Sequence, residues 1–243
     1  MRLGDLPNSH RRHLLITGST IGTALAHCFA QDDRVEKVTL TWHSRRPETT
    51  SAKISTTQMD LTDDEAVHNT LSNLETLDGV INAVGFLHGS GVQPEKSISR
   101  TNPSSFLKNM EINTLPTLLL AKHSRHLLKA SQAGSFSSIS AKVGSIEDNR
   151  LGGWYSYRAS KAALNMVLKT LAVEWGFALP KCTVAALHPG TVISPLSSPF
   201  TANSNKHLFS PDESASHLKS VLDNLTPQHS GRFWSWDGTE IPW

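Results

Sequence analysis

Short apolar runs of about five residues alternate with stretches of helical periodicity along almost the whole chain, and this alternation restricts the fold more than any other feature. An apolar run too short for a helix reads as a buried strand, and a strand–helix–strand rhythm reads as βαβ units feeding a parallel sheet. Strands are expected over 13–17, 37–41, 53–59, 77–84, 135–140, 182–187 and 231–236, and helices over 22–30, 63–74, 103–129, 155–177 and 211–225. Pro116 lies inside the third helix pattern; it offers no N–H to the carbonyl of Ile112 and should kink the helix there. The expected fold is α/β: a single domain over 1–243, a doubly wound parallel sheet of about seven strands flanked by helices. The stretch 194–210, rich in Ser, Pro and Asn, reads as a surface loop within that domain. Ligands gather at the carboxyl ends of parallel strands, so this loop is a candidate lid.

Composition narrows the function classes. The 243 residues carry 23 basic and 21 acidic side chains, a net charge of +2 that draws the chain to neither nucleic acid nor membrane. No window approaches the roughly 20 apolar residues of a membrane span. The start, MRLGDLPNSHRRHLLITG, lacks the apolar run and cleavage site of a signal peptide. The two cysteines, Cys28 and Cys182, lie far apart with no CxxC spacing, which reads as a reduced, cytoplasmic protein. His123 and His126 lie about one turn apart on a helix, a surface pair with no further ligand cluster, so no metal site is expected.

The strongest chemical signal is Tyr157-Arg158-Ala159-Ser160-Lys161. Tyr and Lys four residues apart share one helix face. An ammonium beside a phenol favours the phenolate, and a tyrosine so tuned can exchange a proton with a carbonyl or alcohol oxygen. The pattern alone also fits a Tyr and a Lys that merely share a helix.

The neighbouring motifs carry a resemblance. GGWYSYRASKAALNMVLKTLAVEW, Asn82-Ala83-Val84-Gly85, Met59-Asp60-Leu61, Asn113 in EINTLPTLLL, His188-Pro189-Gly190-Thr191 and the closing DGTEIPW occur in an order similar to the short-chain dehydrogenase/reductase family. GSIEDNRLGGWYSYRASKAALN resembles its branch of C-factor and sniffer-like carbonyl reductases. The resemblance covers nearly the whole chain. It implies a Rossmann fold, with a cofactor half at about 13–140 and a catalytic half at about 141–243. It implies hydride transfer between a nicotinamide cofactor and a small-molecule carbonyl or alcohol. Tyr157 would be the general acid/base, Lys161 would lower its pKa and bind the nicotinamide ribose, and Asn113 would hold a water leading from Lys161 to solvent. Asp60 and Leu61 would lie at the adenine, Asn82, Ala83 and Gly85 along the cofactor, and Pro189, Gly190, Thr191 and Val192 beside the nicotinamide. Asp60 also fits a helix-capping role ahead of Asp63. A homodimer or homotetramer through 103–129 and 155–177 is further implied.

Two departures from the family pattern stand out. The glycine loop TGxxxGxG reads Thr17-Gly18-Ser19-Thr20-Ile21-Gly22 here, two residues short and without its middle glycine. Gly18, Ser19, Ile21 and Gly22 can still form a tight turn that brings backbone N–H groups to a pyrophosphate. The family serine, three residues before a glycine, is Ala141 in this chain. Ser140 is the expected substitute, reaching the site if the backbone turns there; Ser138 and Ser145 are the alternatives. After the second strand no acid awaits an adenosine ribose, and Arg45 and Arg46 suit a 2′-phosphate, which implies NADP(H) in preference to NAD(H). A solvated basic loop is the lesser alternative for the two arginines. Trp154, Phe86 and His88 are candidate pocket walls or packing residues. The expected function is an NADPH-dependent carbonyl reductase. The alternative is a reductase-like signalling or interaction protein with weakened cofactor binding, which the short loop and Ala141 favour.

Overall fold

The computed structural model describes residues 11–89, 91–201 and 207–243. The first residues of the segment tested for a signal peptide, and 202–206 of the candidate lid, lie outside them. The first half runs β1 (Arg12–Thr17), α1 (Thr20–Ala30), β2 (Val35–Trp42), β3 (Ile54–Gln58), α2 (Asp64–Ser72), β4 (Gly79–Asn82), α3 (Pro103–Asn113), α4 (Leu115–Leu128) and β5 (Ser135–Ile139). The second runs α5 (Tyr155–Ala178), β6 (Thr183–His188), β7 (Thr191–Val192), β8 (Leu208–Phe209), α6 (Pro211–Asn224), β9 (Arg232–Ser235) and β10 (Glu240–Ile241).

The main sheet has eight strands in the order β10-β9-β6-β5-β4-β1-β2-β3, so it spans both halves of the chain. Seven of them are parallel, and β10 adds to β9 antiparallel at one edge. The expectation of about seven strands missed β10, which is two residues long and carries no periodicity. Strand order reverses between β1 and β4, which opens a crevice at their carboxyl ends.

The period-2 alternation of a strand sends neighbouring side chains to opposite faces. Leu14 and Ile16 pack with Leu25, Phe29, Leu218 and Leu222 under α1 and α6. Leu15 and Val80 pack with Val67, Leu71, Leu120, Leu164 and Leu168 under α2, α4 and α5. Burying each such side chain contributes about 1.5–3 kcal/mol, so the doubly covered sheet is a rigid platform for its loops.

The helix expected over 103–129 divides into α3 and α4 at Thr114, where φ is −114° and ψ −51°. Pro116 then lies in the first turn of α4, where no intrahelical N–H is required. Thr114 Oγ1 donates to the carbonyl of Ser160 at 2.9 Å, tying this break to α5.

Candidate active site

Gly18 leaves β1 with φ +97°, and a Cβ there would meet the Ala83 carbonyl oxygen at 2.6 Å. Only Ser19 separates Gly18 from α1. Gly22 presses α1 onto β1, since a Cβ there would lie 2.3 Å from the Thr17 carbonyl oxygen. The shortened loop thus keeps the tight turn and the close helix–strand contact. The α1 N-terminus receives no side-chain cap, so its first N–H groups face the crevice without one.

Asn82 ends β4 inside a buried relay. Its Oδ1 accepts from Thr17 Oγ1 at 2.8 Å, and its Nδ2 donates to Thr117 Oγ1 at 2.9 Å. Thr117 Oγ1 in turn lies 2.9 Å from Ser138 Oγ. These bonds lock the ends of β1, β4 and β5 to α4, and they shape the turn of Ala83, Val84 and Gly85. A Cβ on the exposed Gly85 would meet Leu196 Cδ1 at 3.6 Å, Lys161 Nζ at 3.8 Å and Asn113 Oδ1 at 4.0 Å. A Cβ there would make ordinary contact with all three, so Gly85 marks the point where the lid, Lys161 and Asn113 converge.

Asn113 sits at the α3–α4 break, 1% exposed. Its Oδ1 accepts from the Phe86 amide at 2.7 Å. Its Nδ2 donates to the Phe86 carbonyl at 2.8 Å and to Ser160 Oγ at 2.9 Å. Tyr157 and Lys161 lie one turn apart on α5, both buried, with Lys161 Nζ 5.9 Å from the Tyr157 ring centre. Lys161 Nζ donates to the carbonyl of Ile139, the last residue of β5, at 3.0 Å. Burial pushes the Lys161 ammonium down to about 7 and the Tyr157 phenol upward, so desolvation favours the neutral form of both. Between β5 and α5, Gly144 packs against Lys161; a Cβ there would come within 2.8 Å of the lysine Cβ.

Ser140 is 2% exposed, and its hydroxyl donates to Asn165 Oδ1 at 2.6 Å. Its one proton is therefore spent on α5, one turn beyond Lys161. Ala141 follows with φ −143° and ψ 145°, still extended. The other two candidates are also engaged: Ser138 in the Asn82 relay, and Ser145 with the Trp243 carbonyl at 3.3 Å.

Beyond β6, Gly190 turns with φ +78°, and a Cβ there would lie 2.6 Å from the Phe209 ring. Ser214 Oγ binds the Pro189 carbonyl at 2.9 Å. Thr191 and Val192 pair with Leu208 and Phe209 in a second, two-stranded sheet that pins both ends of the candidate lid. The described part of the lid meets the site through Pro195, Leu196 and Phe200. His88 Nε2 reaches the carbonyls of Pro195 at 3.1 Å and Leu196 at 3.2 Å; a carbonyl only accepts, so this nitrogen bears the proton. The Phe200 ring stands 5.4 Å from His88 and 5.2 Å from Trp154, and Trp154 stands 6.2 Å from Tyr157.

On the adenosine side, Arg45 and Arg46 are exposed just beyond β2, and Arg46 Nε donates to Thr56 Oγ1 at 2.9 Å. Asp60 accepts from the amide and hydroxyl of Thr62, which lower its pKa, while Asp63 is the residue that caps α2. Leu61 is buried in the core. Among the described residues no cluster of His, Cys, Asp and Glu suits a metal ion, and His123 is engaged with Asp64 at 2.7 Å. No helix among them is long and apolar enough to cross a membrane.

The open strand ends, the glycines without room for a Cβ and the uncapped α1 fit a dinucleotide laid across the β1–β4 crevice. Sequence reasoning missed Leu196, Phe200, Gly144, Asn165 and Glu95, which meet the site only through tertiary contacts. Gly144 left a trace, three residues after Ala141, and Leu196 and Phe200 fall within the stretch read as a candidate lid.

The family model for short chain dehydrogenases matches residues 12–205. The 1-hydroxy-2-glutathionyl-2-methyl-3-butene dehydrogenase of Rhodococcus sp. (strain AD45) is 34% identical over 185 residues, 76% of this chain and 78% of that one. C-signal of Myxococcus xanthus is 38% identical over 108 residues, 43% of this chain and 58% of its own length. Among solved structures, the NADPH-bound carbonyl reductase from chicken fatty liver superposes with a TM-score of 0.84 at 24% identity, covering 96% of this chain and 95% of that one.

Proposed function

The chain belongs to the short-chain dehydrogenase family and is an oxidoreductase of that family, and we propose that it reduces a small carbonyl compound with NADPH. The observation that carries this reading is the burial of Tyr157 and Lys161 on one face of α5, with Lys161 and Asn113 converging on Gly85 at the strand ends.

Gly18, Ser19, Ile21 and Gly22 would hold the pyrophosphate, Arg45 and Arg46 the 2′-phosphate, and Asp60 and Leu61 the adenine edge. Asn82, Ala83 and Gly85 would line the cofactor's path, with Pro189, Gly190, Thr191 and Val192 at the nicotinamide. When bound, the nicotinamide supplies a hydride for the carbonyl carbon. Tyr157 gives its phenolic proton to the carbonyl oxygen, so the product is the alcohol. A phenol whose pKa burial has raised stays protonated at neutral pH, which suits the reductive direction. Lys161 also binds the ribose; in its ammonium form it returns a proton to the phenolate and takes one in turn from solvent, while Asn113 holds the α3–α4 break against α5. The hydroxyl of Ser140 braces the loop that presents Ala141 rather than meeting the substrate oxygen.

The exposed Phe106, Leu107, Leu118, Met166, Val173 and Phe177 on α3, α4 and α5 support a homodimer or homotetramer through these helices. Both cysteines are free, which suits the cytoplasm. The short loop and Ala141 favour a second reading, a protein that binds the cofactor weakly and acts through protein contacts.

Titration with NADPH, followed by its fluorescence, separates the two readings; saturable binding is expected. Tyr157→Phe should keep that binding and lose diketone reduction by about 10²–10⁴-fold. Absence of NADPH binding, or a Tyr157→Phe rate within about threefold of the parent, overturns the proposal.

A further inference from the structure

Glu95 lies in the loop between β4 and α3, yet it is only 4% exposed. Among the described residues no cation lies within ion-pair distance of its carboxylate. All of its bonds go to the start of α5. Its Oε2 accepts from the Ser156 amide at 3.1 Å, and its Oε1 accepts from the Ser156 hydroxyl. Its main-chain carbonyl accepts from the Trp154 amide at 2.5 Å. A buried anion at the N-terminus of a 24-residue helix is compensated by the unpaired N–H groups there. α5 has no cap of its own, because Trp154 at its N-cap makes no side-chain bond to the helix.

The chain reaches that helix through three consecutive left-handed residues, Gly152, Gly153 and Trp154, with φ of +63°, +65° and +53°. Glycine adopts this conformation freely, but a bulky residue such as tryptophan persists in it only where its surroundings impose it. Only the Ser156 bonds use the Glu95 side chain; they anchor its loop against α5, and that anchor keeps the main-chain carbonyl of residue 95 on the Trp154 amide, so the chain is gripped on either side of Tyr155. The left-handed turn aims the Trp154 indole at Tyr157 (6.2 Å) on one side and at Phe200 of the lid (5.2 Å) on the other. Tyr157 is the next residue after Ser156, within the same first helical turn.

We propose that Glu95 is a positioning residue for the reduction: by holding Trp154 and Ser156 it keeps the left-handed turn, and through it sets the Tyr157 phenol and the Trp154 wall relative to the substrate carbonyl. This rests on the functional reading above. Small misplacements of a reacting group are costly, on the order of 10²-fold for about 1 Å. Glu95→Ala, assayed on folded protein, should lower kcat for a diketone by at least about tenfold while the NADPH Kd stays within about twofold. Glu95→Gln should restore most of the rate, because the amide oxygen still accepts from the Ser156 N–H and the NH₂ donates to a reoriented hydroxyl. A purely structural role would instead lower the melting temperature and leave kcat per folded molecule unchanged. Folded Glu95→Ala with an unaltered kcat, or a loss of kcat matched by an equal loss of NADPH affinity, overturns the proposal. Should Glu95→Ala fail to fold, Ser156→Ala decides, and an unchanged kcat in it also overturns the proposal. Should the parent itself reduce no carbonyl, the functional reading fails. The crystal structure of Glu95→Ala, or of Ser156→Ala if the former does not fold, then decides the positioning role: Trp154 should leave positive φ, and its retention there overturns the proposal.

Discussion

Ser140 donates its hydroxyl to Asn165 Oδ1 at 2.6 Å, and Asn165 Nδ2 carries the link on to the Gly144 carbonyl at 3.3 Å. The hydroxyl nearest the family's serine position thus braces the bend after β5 from beneath. The family's serine position itself is Ala141, whose methyl side chain has no donor. A preorganised donor to the oxygen on which charge develops is worth about 10²–10³ in kcat. Ala141→Ser should therefore raise kcat for a diketone, by about tenfold if half of that stabilisation is recovered. Ser140→Ala should act mainly on stability. Steady-state rates on both variants check this; a large loss of kcat in a folded, NADPH-binding Ser140→Ala, with no gain in Ala141→Ser, restores Ser140 as the donor.

Lys161 gives a pH signature to the cofactor-free protein. Its ordinary value is 10.5, and burial pushes it down to about 7. Between these values the unfolded chain holds a proton that the folded chain does not, so this residue makes stability rise with pH. Its penalty is fully present below about pH 7 and fades towards pH 10. Tyr157, whose phenol is shifted upward from 10.0, lowers stability only above that range. Thermal melts from pH 6 to 9.5 should show a smaller rise for Lys161→Met than for the parent; parallel curves would contradict the assignment.

Arg45 and Arg46 are the cationic side chains just beyond β2, and Arg46 is already steadied by Thr56. NADPH should bind about ten- to a hundredfold more tightly than NADH. Replacing both arginines by alanine should remove the difference. Fluorescence titrations with both cofactors measure it, and equal affinities in the parent would refute the preference.

His88 latches the lid through the carbonyls of Pro195 and Leu196. Losing bonds of this kind costs about 0.5–1.5 kcal/mol, so His88→Ala should raise the KM for the carbonyl compound by about two- to tenfold. An unchanged KM would show that the lid holds itself without the latch.

How much of this could be read from the chain alone depended on the range of the interaction. The central strands β1, β4 and β6 announced themselves through apolar residues that are neighbours in sequence, and the pairing of Tyr157 with Lys161 needed only the helix period. The loss of an N–H at Pro116 is likewise a property of one residue, and it marked the place where α3 and α4 divide. β7, β8 and β10 are two residues each, too short for any period to show, and they exist because neighbouring backbone is there to pair with them.

The sequence by itself determined the layered α/β fold, the shared face of Tyr157 and Lys161, the short turn at Gly18 and the lack of a serine at 141. Only the tertiary structure decided what the polar side chains around these features bind. The partner of Ser140 lies 25 residues away, that of Glu95 61 residues away, and that of His88 107 residues away. Local periodicity cannot encode such meetings, because each depends on where two separately packed elements come to rest against the sheet. The same holds for the left-handed Trp154. Nothing in its neighbours demands a positive φ of a tryptophan; a distant loop, anchored to Ser156 by the Glu95 carboxylate, brings the carbonyl that holds it there.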